Sequence, residues 1–555
     1  MNTQNKFALS SLGLALLSVC GSTAFAQVAP VDAGAVSQQN RAPLVAPTES
    51  KFLLQYDGDV TKEVAPGGPQ VPLSKVVLNG NDVFSESVLL AALGDVTGKS
   101  YDLAGFRSLA NKVSQYYRTH GYPFARAYIP AQSLEGGVLT IGILEGLYGN
   151  VTVKSNERVQ SFMQEYLHNL KSGEPIESSK LERSILLMND IPGFKAVPAV
   201  SPGKETGTGD LTVIVSDAPK TTGDVSFDNQ GTRYTGYHRL QGGFKTADVL
   251  QLGDEVDARF MYTGEKMAYG RFGYSMRLVP DNTPPADRLK ATVAVSRTQY
   301  VLGKEFAALN ALGISDMISG GISYPVVRSQ QANLYASMTV QGKDLMDFYR
   351  TADTKLKKSS LASVYAVNFD QRDSFAGGGL TYGALAYTVG NMSNAHDFAN
   401  TVGEFKKTTL DVVRIQTLSP RFSAFFKYSG QYTRKNLDSS EDIFLGGPTA
   451  VRAYPQGEAA GDRGYFTQVE LRYTDGEYSP YAFYDSGRVS VYAQPSDTLP
   501  AESRRLSGAG LGLRFNRDKF SLDVAAAWRM QGGKSTADTS SDPKPRVTGT
   551  AGYRF

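Results

Sequence analysis

The sequence predicts a membrane-spanning β-barrel of about 16 antiparallel strands, preceded by two small units of β-α-α-β-β order. Three observations carry this. From Lys220 to Phe555, apolar and polar residues alternate with period two in segment after segment, as strands with one apolar and one polar face require. Beyond the N-terminal segment no run of about 18 apolar residues occurs, so the chain offers no transmembrane helix, whereas a barrel span needs only short alternating segments. The 56 glycines, 30 tyrosines and 27 phenylalanines suit a barrel, which uses glycine in turns and aromatics in its interface girdles.

At the N-terminus, Lys6 precedes an apolar segment from Phe7 to about Val19 and then Ala24-Phe25-Ala26. This layout predicts a signal peptide over residues 1–26, cleaved after Ala26. Cys20 raises a lipoprotein alternative, but Val19 stands where a small residue is wanted. Cleavage after Ala26 removes the sole cysteine and with it any disulfide or thiol chemistry. The formal charge of +3, without a basic cluster, gives no reason to expect nucleic acid as a partner. At 555 residues the chain is long for one core, so several domains are expected.

Residues 27–72 read as a linker punctuated by Pro30, Pro43, Pro47, Pro66, Pro69 and Pro72, in which Val31 to Asn40 is the one candidate for a short helix. The first unit, 73–146, opens with a strand at Leu73–Leu78. Leu103, Phe106, Leu109, Val113 and Tyr116 then mark a helix that ends at His120-Gly121, and strands follow at Tyr122–Ile129 and Gly137–Leu144. The second unit, 147–218, has a strand at Gly149–Val153 and a helix marked by Val159, Phe162, Met163, Tyr166 and Leu170. A second helix carries Leu181, Ile185 and Met188, with Ser179 and Glu182 spaced as a capping box. Strands near Phe194–Val200 and Asp210–Ser216 complete it.

The barrel occupies 219–555. Its clearest segment is Arg421–Thr433, with Phe422, Ala424, Phe426, Tyr428 and Tyr432 opposed to Ser423, Lys427, Ser429, Gln431 and Thr433. Ser521–Met530 and Ala332–Gln341 repeat the pattern. At about 21 residues per strand and connection, Lys220–Phe555 holds roughly 16 strands, an even number. A tandem of soluble β-sandwiches would alternate likewise, but would show domain boundaries that are not found here.

The stretch Phe444–Arg472, FLGGPTAVRAYPQGEAAGDRGYFTQVELR, joins a Gly-, Ala- and Pro-rich loop (444–464) to an alternating strand. It resembles the long sixth extracellular loop of outer-membrane barrels bearing POTRA (polypeptide-transport-associated) domains, where a V-R-G-Y/F motif folds back into the lumen. The counterpart here is Val451-Arg452-Ala453-Tyr454, with Ala453 where the commonest version has Gly. Phe483-Tyr484-Asp485-Ser486-Gly487 matches the same superfamily's F-x-D-x-G motif, through Phe483, Asp485 and Gly487. GYPFARAYIPAQ at 121–132, VLTIGILEG at 138–146 and LERSILLMNDIPG at 181–193 are similar to POTRA segments of two-partner secretion exporters. The alternation of Val547, Gly549, Ala551, Tyr553 and Phe555 resembles the C-terminal signal by which outer-membrane barrels are recognised.

The resemblance implies an outer-membrane transporter with its POTRA domains in the periplasm. There they would capture an unfolded haemolysin- or adhesin-like exoprotein, through strand addition to sheet edges, for threading through the pore. It further implies an ion pair between Arg452 and Asp485 that latches the loop, Glu470 and Arg472 as lumen lining, an N-terminal helix that plugs the barrel, lipid around the barrel, and the barrel-assembly machinery as the partner for insertion. For residues 27–50, the plug and a flexible periplasmic linker both remain open. A barrel-assembly factor and a passive porin are the alternatives. No enzymatic activity, cofactor or metal is expected: His120, His168, His238 and His396 lack ligand spacing, and neither G-x-S-x-G nor G-x-x-x-x-G-K occurs. Glu458 and Asp462 read as loop structure rather than acid–base partners.

Overall fold

The structure, a computed structural model, describes residues 32–39, 44–48, 55–56, 65–278, 288–394, 397, 399–538 and 543–555. The predicted signal peptide with Cys20, much of 27–72, and His396 lie outside the described residues.

In the first unit, Val138–Leu144 runs between Lys75–Asn79, parallel, and Arg126–Tyr128, antiparallel. Helices Glu86–Leu93 and Leu103–Thr119 accompany this sheet. The Asp102 carboxylate caps the second helix by accepting from Gly105 N at 2.7 Å. Phe106, Leu109 and Val113 are buried as their spacing predicts, but Leu103 is exposed. Tyr117, rather than Tyr116, is the fully buried ring, with its hydroxyl donating to Glu145 Oε1 at 2.7 Å. Val71–Pro72 pairs with Ser100–Tyr101, so this unit begins two residues before the expected boundary.

The second unit aligns Phe194–Pro202, Thr208–Asp217 and Leu147–Lys154 into one sheet, with Gln55–Tyr56 added at its Phe194–Pro202 edge. Val159 and Met163, one helical turn apart, and Leu181, Ile185 and Met188 fill its core. The capping box does not form. The helix Ser178–Asn189 has Glu177 at its N-cap with no side-chain cap, and Ser179 Oγ turns back to Glu177. Glu182 is drawn toward the barrel instead, where its Oε1 accepts from Gln330 N at 2.6 Å. Beside it Asp190 binds Arg328 at 2.7 and 2.8 Å, and Arg183 donates to Pro325 O at 2.7 Å. These contacts seat the unit on one rim of the barrel.

Sixteen antiparallel strands, from Thr221–Asp228 to Arg546–Arg554, close into a single barrel. The last strand pairs with the first, Tyr553 opposite Val225. Closure removes the sandwich alternative, and with it every sheet edge that lipid would leave unpaired. The faces fall as the alternation predicts: Phe426, Trp528, Met338 and Val547 point outward, while Ser429, Gln431 and Asn333 are buried within. Such an apolar outer wall is stable against lipid, not water. Strands as long as Thr354–Asp373, 20 residues, exceed the 9–11 a membrane requires. They extend on the side away from the POTRA-like units, where the connection 434–462 also lies. Phe555 exchanges backbone hydrogen bonds with Gly223 at 3.0 and 3.1 Å, and its ring lies over that glycine.

Candidate functional site

The loop at the centre of the lumen leaves the strand Phe422–Thr433 and returns at Arg463–Tyr473. It is therefore 434–462, ten residues longer at its start than the predicted 444–464, because the polar stretch after Thr433 turns inward instead of extending the strand. Its tip is held by Val451 N to Leu445 O at 2.8 Å and Gly447 N to Tyr454 O at 3.1 Å. Gly447 adopts φ 111°, which side-chain-bearing residues rarely reach. Val451 and Tyr454 are fully buried, and Tyr454 donates its hydroxyl to Gln531 O at 2.9 Å on the wall.

The structure places Arg452 against Asp485. The Arg452 main-chain N donates to Oδ2 at 3.0 Å, Nε to the same oxygen at 2.8 Å, and Nη2 to Oδ1 at 2.7 Å. Nη1 reaches Glu470 Oε1. The guanidinium lies 3.6 Å from the Phe483 ring centroid, so one planar group is gripped by two carboxylates and an aromatic face. Asp485 is fully buried and Glu470 nearly so. Glu470 also accepts from Arg472 at 2.7 Å and Arg514 at 3.1 Å, and Arg514 continues to Asp523 at 2.9 Å. Three guanidiniums thus converge on Glu470, and with Asp485 and Asp523 the six groups balance in charge.

Two glycines make room for the tip. A Cβ on Gly487 would lie 2.8 Å from Leu445 Cδ2 and from Phe466 Cβ. A Cβ on Gly508 would lie 2.4 Å from the Cβ of Ala453. The methyl that Ala453 adds to the motif is therefore housed by a missing side chain on the facing strand, Ser503–Arg517.

A second set of contacts joins the loop to the helix Ala33–Gln39, which lies inside the barrel against lumen-facing side chains. Asp32 caps this helix, accepting from Ala35 N at 2.8 Å, and binds Lys358 Nζ and Ser439 Oγ at 2.7 Å each. The same Lys358 Nζ binds Asp438 of the loop at 2.6 Å. Asp347 accepts from Ala33 N at 3.1 Å and from the Tyr300 hydroxyl at 2.9 Å. Burial would raise the Asp32 carboxyl, but Lys358, together with the hydrogen bonds from Ala35 N and Ser439, holds the group below the usual carboxylate range. At the loop base, burial likewise opposes ionisation of Glu441, but Lys407 and Lys343 pull it down to about 2.

Glu458 accepts from Thr536 N, Ala537 N, Ser535 Oγ and Arg504. Asp462 accepts from Leu437 N and Ala493 N at 2.8 and 2.6 Å. Both serve as anchors of connections. Arg514, Asp523, Lys358, Asp438 and Gly508 escaped sequence reasoning. Each is an ordinary polar or small residue within an alternating strand or polar loop, and its importance arises from what faces it across the lumen.

A cavity of about 260 Å³ adjoins the Arg452–Asp485 pair, bordered by Leu44, Arg452, Glu470 and Arg514. Another, of about 1000 Å³, is bordered by Arg259, Arg271, Ser296, Met317, Lys343 and Ser360.

Comparison with known proteins bears on this architecture. The family model described as haemolysin secretion/activation protein ShlB/FhaC/HecB matches residues 207–515, and that of the ShlB-type POTRA domain matches 71–146. The heme/hemopexin transporter protein HuxB of Haemophilus influenzae (strain 86-028NP) is 26% identical over 489 residues, covering 84% of this chain and 85% of its own. The outer membrane transporter CdiB of Dickeya dadantii (strain 3937) is 23% identical over 480 residues, 83% of each chain. Among solved structures, CdiB from Escherichia coli superposes with a TM-score of 0.69 at 16% identity, over 100% of this chain and 99% of that one. BamA from Haemophilus ducreyi lacking POTRA domains 1–3 gives 0.52 at 12%, over 88% and 100%. At these identities the structural likeness is one of fold.

Proposed function

The chain belongs to the haemolysin secretion/activation protein family ShlB/FhaC/HecB, and from that premise we propose how it moves a partner exoprotein across the outer membrane by two-partner secretion. The two POTRA-like units face the periplasm and receive the unfolded client, which adds a strand to a free sheet edge. The pore is closed at rest by two inserts, the helix Ala33–Gln39 and the loop 434–462. Both are held by side-chain contacts that break without disturbing any barrel ladder. Release of the helix at Asp32 and Lys358, and movement of the loop at Arg452 and Asp485, opens the path. Folding of the client outside then favours outward movement. Assembly of the barrel passes through the barrel-assembly machinery, which reads Tyr553 and Phe555.

The observation that carries this reading is the lumen occupied by a latched loop and a helix that share one cation, Lys358. A passive porin has no need of either. The test compares culture-medium proteins from cells with and without this gene. Loss of one large polypeptide is expected. General loss of outer-membrane proteins instead would assign the chain to barrel assembly, and an unchanged medium would refute export.

A further inference from the structure

Around the latch, Arg452, Arg472, Arg504 and Arg514 are each paired with a carboxylate. On the opposite, outward face of the same wall the pattern inverts. Arg463, Arg488 and Arg505 sit on outward positions, Arg434 follows the end of a neighbouring strand, and none of the four has an ion pair among the described residues. Arg488 stands in register with Tyr465 on one side and with Arg505 on the other. All four lie near strand ends on the side away from the POTRA-like units.

Arg463 and Arg488 border a groove of about 390 Å³, lined also by Leu410, Tyr428, Tyr432 and Tyr465, and Arg505 flanks it in register with Arg488. The Tyr428 and Tyr465 rings stack at 6.2 Å with an interplanar angle of 16°. Gly430 permits this shape, since a Cβ there would lie 2.7 Å from the Tyr428 hydroxyl. Toward the membrane centre, past Thr467 and Ser486, the wall becomes largely apolar: Phe426, Val469, Leu471, Tyr484 and Leu511 are all exposed. A tyrosine girdle marks the level of the membrane interface. The groove therefore has cations at headgroup height above a surface that accepts acyl chains.

We propose that this groove binds a phosphorylated glycolipid of the outer leaflet, with its phosphates on Arg434, Arg463, Arg488 and Arg505 and its acyl chains along the apolar wall below the tyrosines. Guanidinium forks suit phosphate oxygens, and charges at a low-dielectric boundary without a protein counterion are stabilised by an anionic headgroup. The groove lies on the reverse of the wall that holds Glu470 and Asp485, so a bound lipid would brace the strands that carry the latch.

The test titrates hexa-acylated lipid A bisphosphate into the purified full chain in detergent, with phosphatidylglycerol and inorganic phosphate as parallel probes, and measures binding by native mass spectrometry. Lipid A is expected to bind the wild type, and Arg488→Ser with Arg505→Ser is expected to weaken it about tenfold or more. Arg488→Lys with Arg505→Lys, which keeps the charge and guards against failure to assemble, is expected to retain most of the binding. Unchanged affinity in the serine variant would overturn the site. Equal binding of phosphatidylglycerol or free phosphate, with the same loss, would overturn the assignment to a glycolipid.

Discussion

Arg452→Ala tests the latch most directly. In the wild type Asp485 accepts three hydrogen bonds, all from Arg452, and one of them comes from the main chain. The substitution leaves that main-chain contact alone on a fully buried carboxylate. Glu470 fares better, because Arg472 and Arg514 remain on it. The cost therefore falls on Asp485, and removing one partner of a buried pair costs about 3–5 kcal/mol. At 1.36 kcal/mol per power of ten, the undocked population of the loop should rise by about two to four powers of ten. Two assays read this. Protease sensitivity of 434–462 should increase sharply while the barrel stays assembled, and client export should be lost. Asp485→Ala should lose export as well. Arg452→Lys should be intermediate, since an ammonium cannot span both Asp485 oxygens and Glu470. Wild-type secretion from both alanine variants, with a loop as protected as before, would refute the reasoning.

Three further outcomes are expected. Gly508→Ala should undock the loop tip through overpacking worth about 1–3 kcal/mol, and Ala453→Gly in the same chain should restore protection; independent, additive effects would show that the two sites do not touch. Lys358→Ala strands Asp32 and Asp438 together, so single-channel recordings should show a higher and steadier conductance, approaching that of a chain lacking residues 32–39. At the loop base, burial lifts the Asp462 carboxyl to about 6, beside Asp442. A carboxyl raised in the docked state favours docking below its ordinary value, and that advantage is lost as pH rises through about 6. Loop protection should accordingly be greater at about pH 5 than at about pH 8, and Asp462→Asn should flatten the difference.

Much of this molecule was legible in linear order, for a physical reason. A strand in a barrel wall separates lipid from water residue by residue, so Phe422–Thr433 and Leu522–Met530 declare their faces through alternation alone. The helices of the POTRA-like units declare theirs through spacing, as Phe106, Leu109 and Val113 do. Where a neighbour intervened, local rules failed. The Ser179–Glu182 capping box lost its glutamate to the barrel amide of Gln330, and Tyr117 replaced Tyr116 because Glu145 offered its hydroxyl a buried acceptor.

By itself, then, the sequence determined a membrane barrel of about 16 strands, two small units before it, and the two motifs that contain Arg452 and Asp485. Only the tertiary structure decided where the inward loop begins, that residues 33–39 lie in the lumen, that Lys358 joins helix to loop, and that Gly508 houses the methyl of Ala453. Those facts depend on surfaces brought together across a closed cylinder, between residues up to hundreds of positions apart. Periodicity reports which face a side chain takes, but not which partner it meets there.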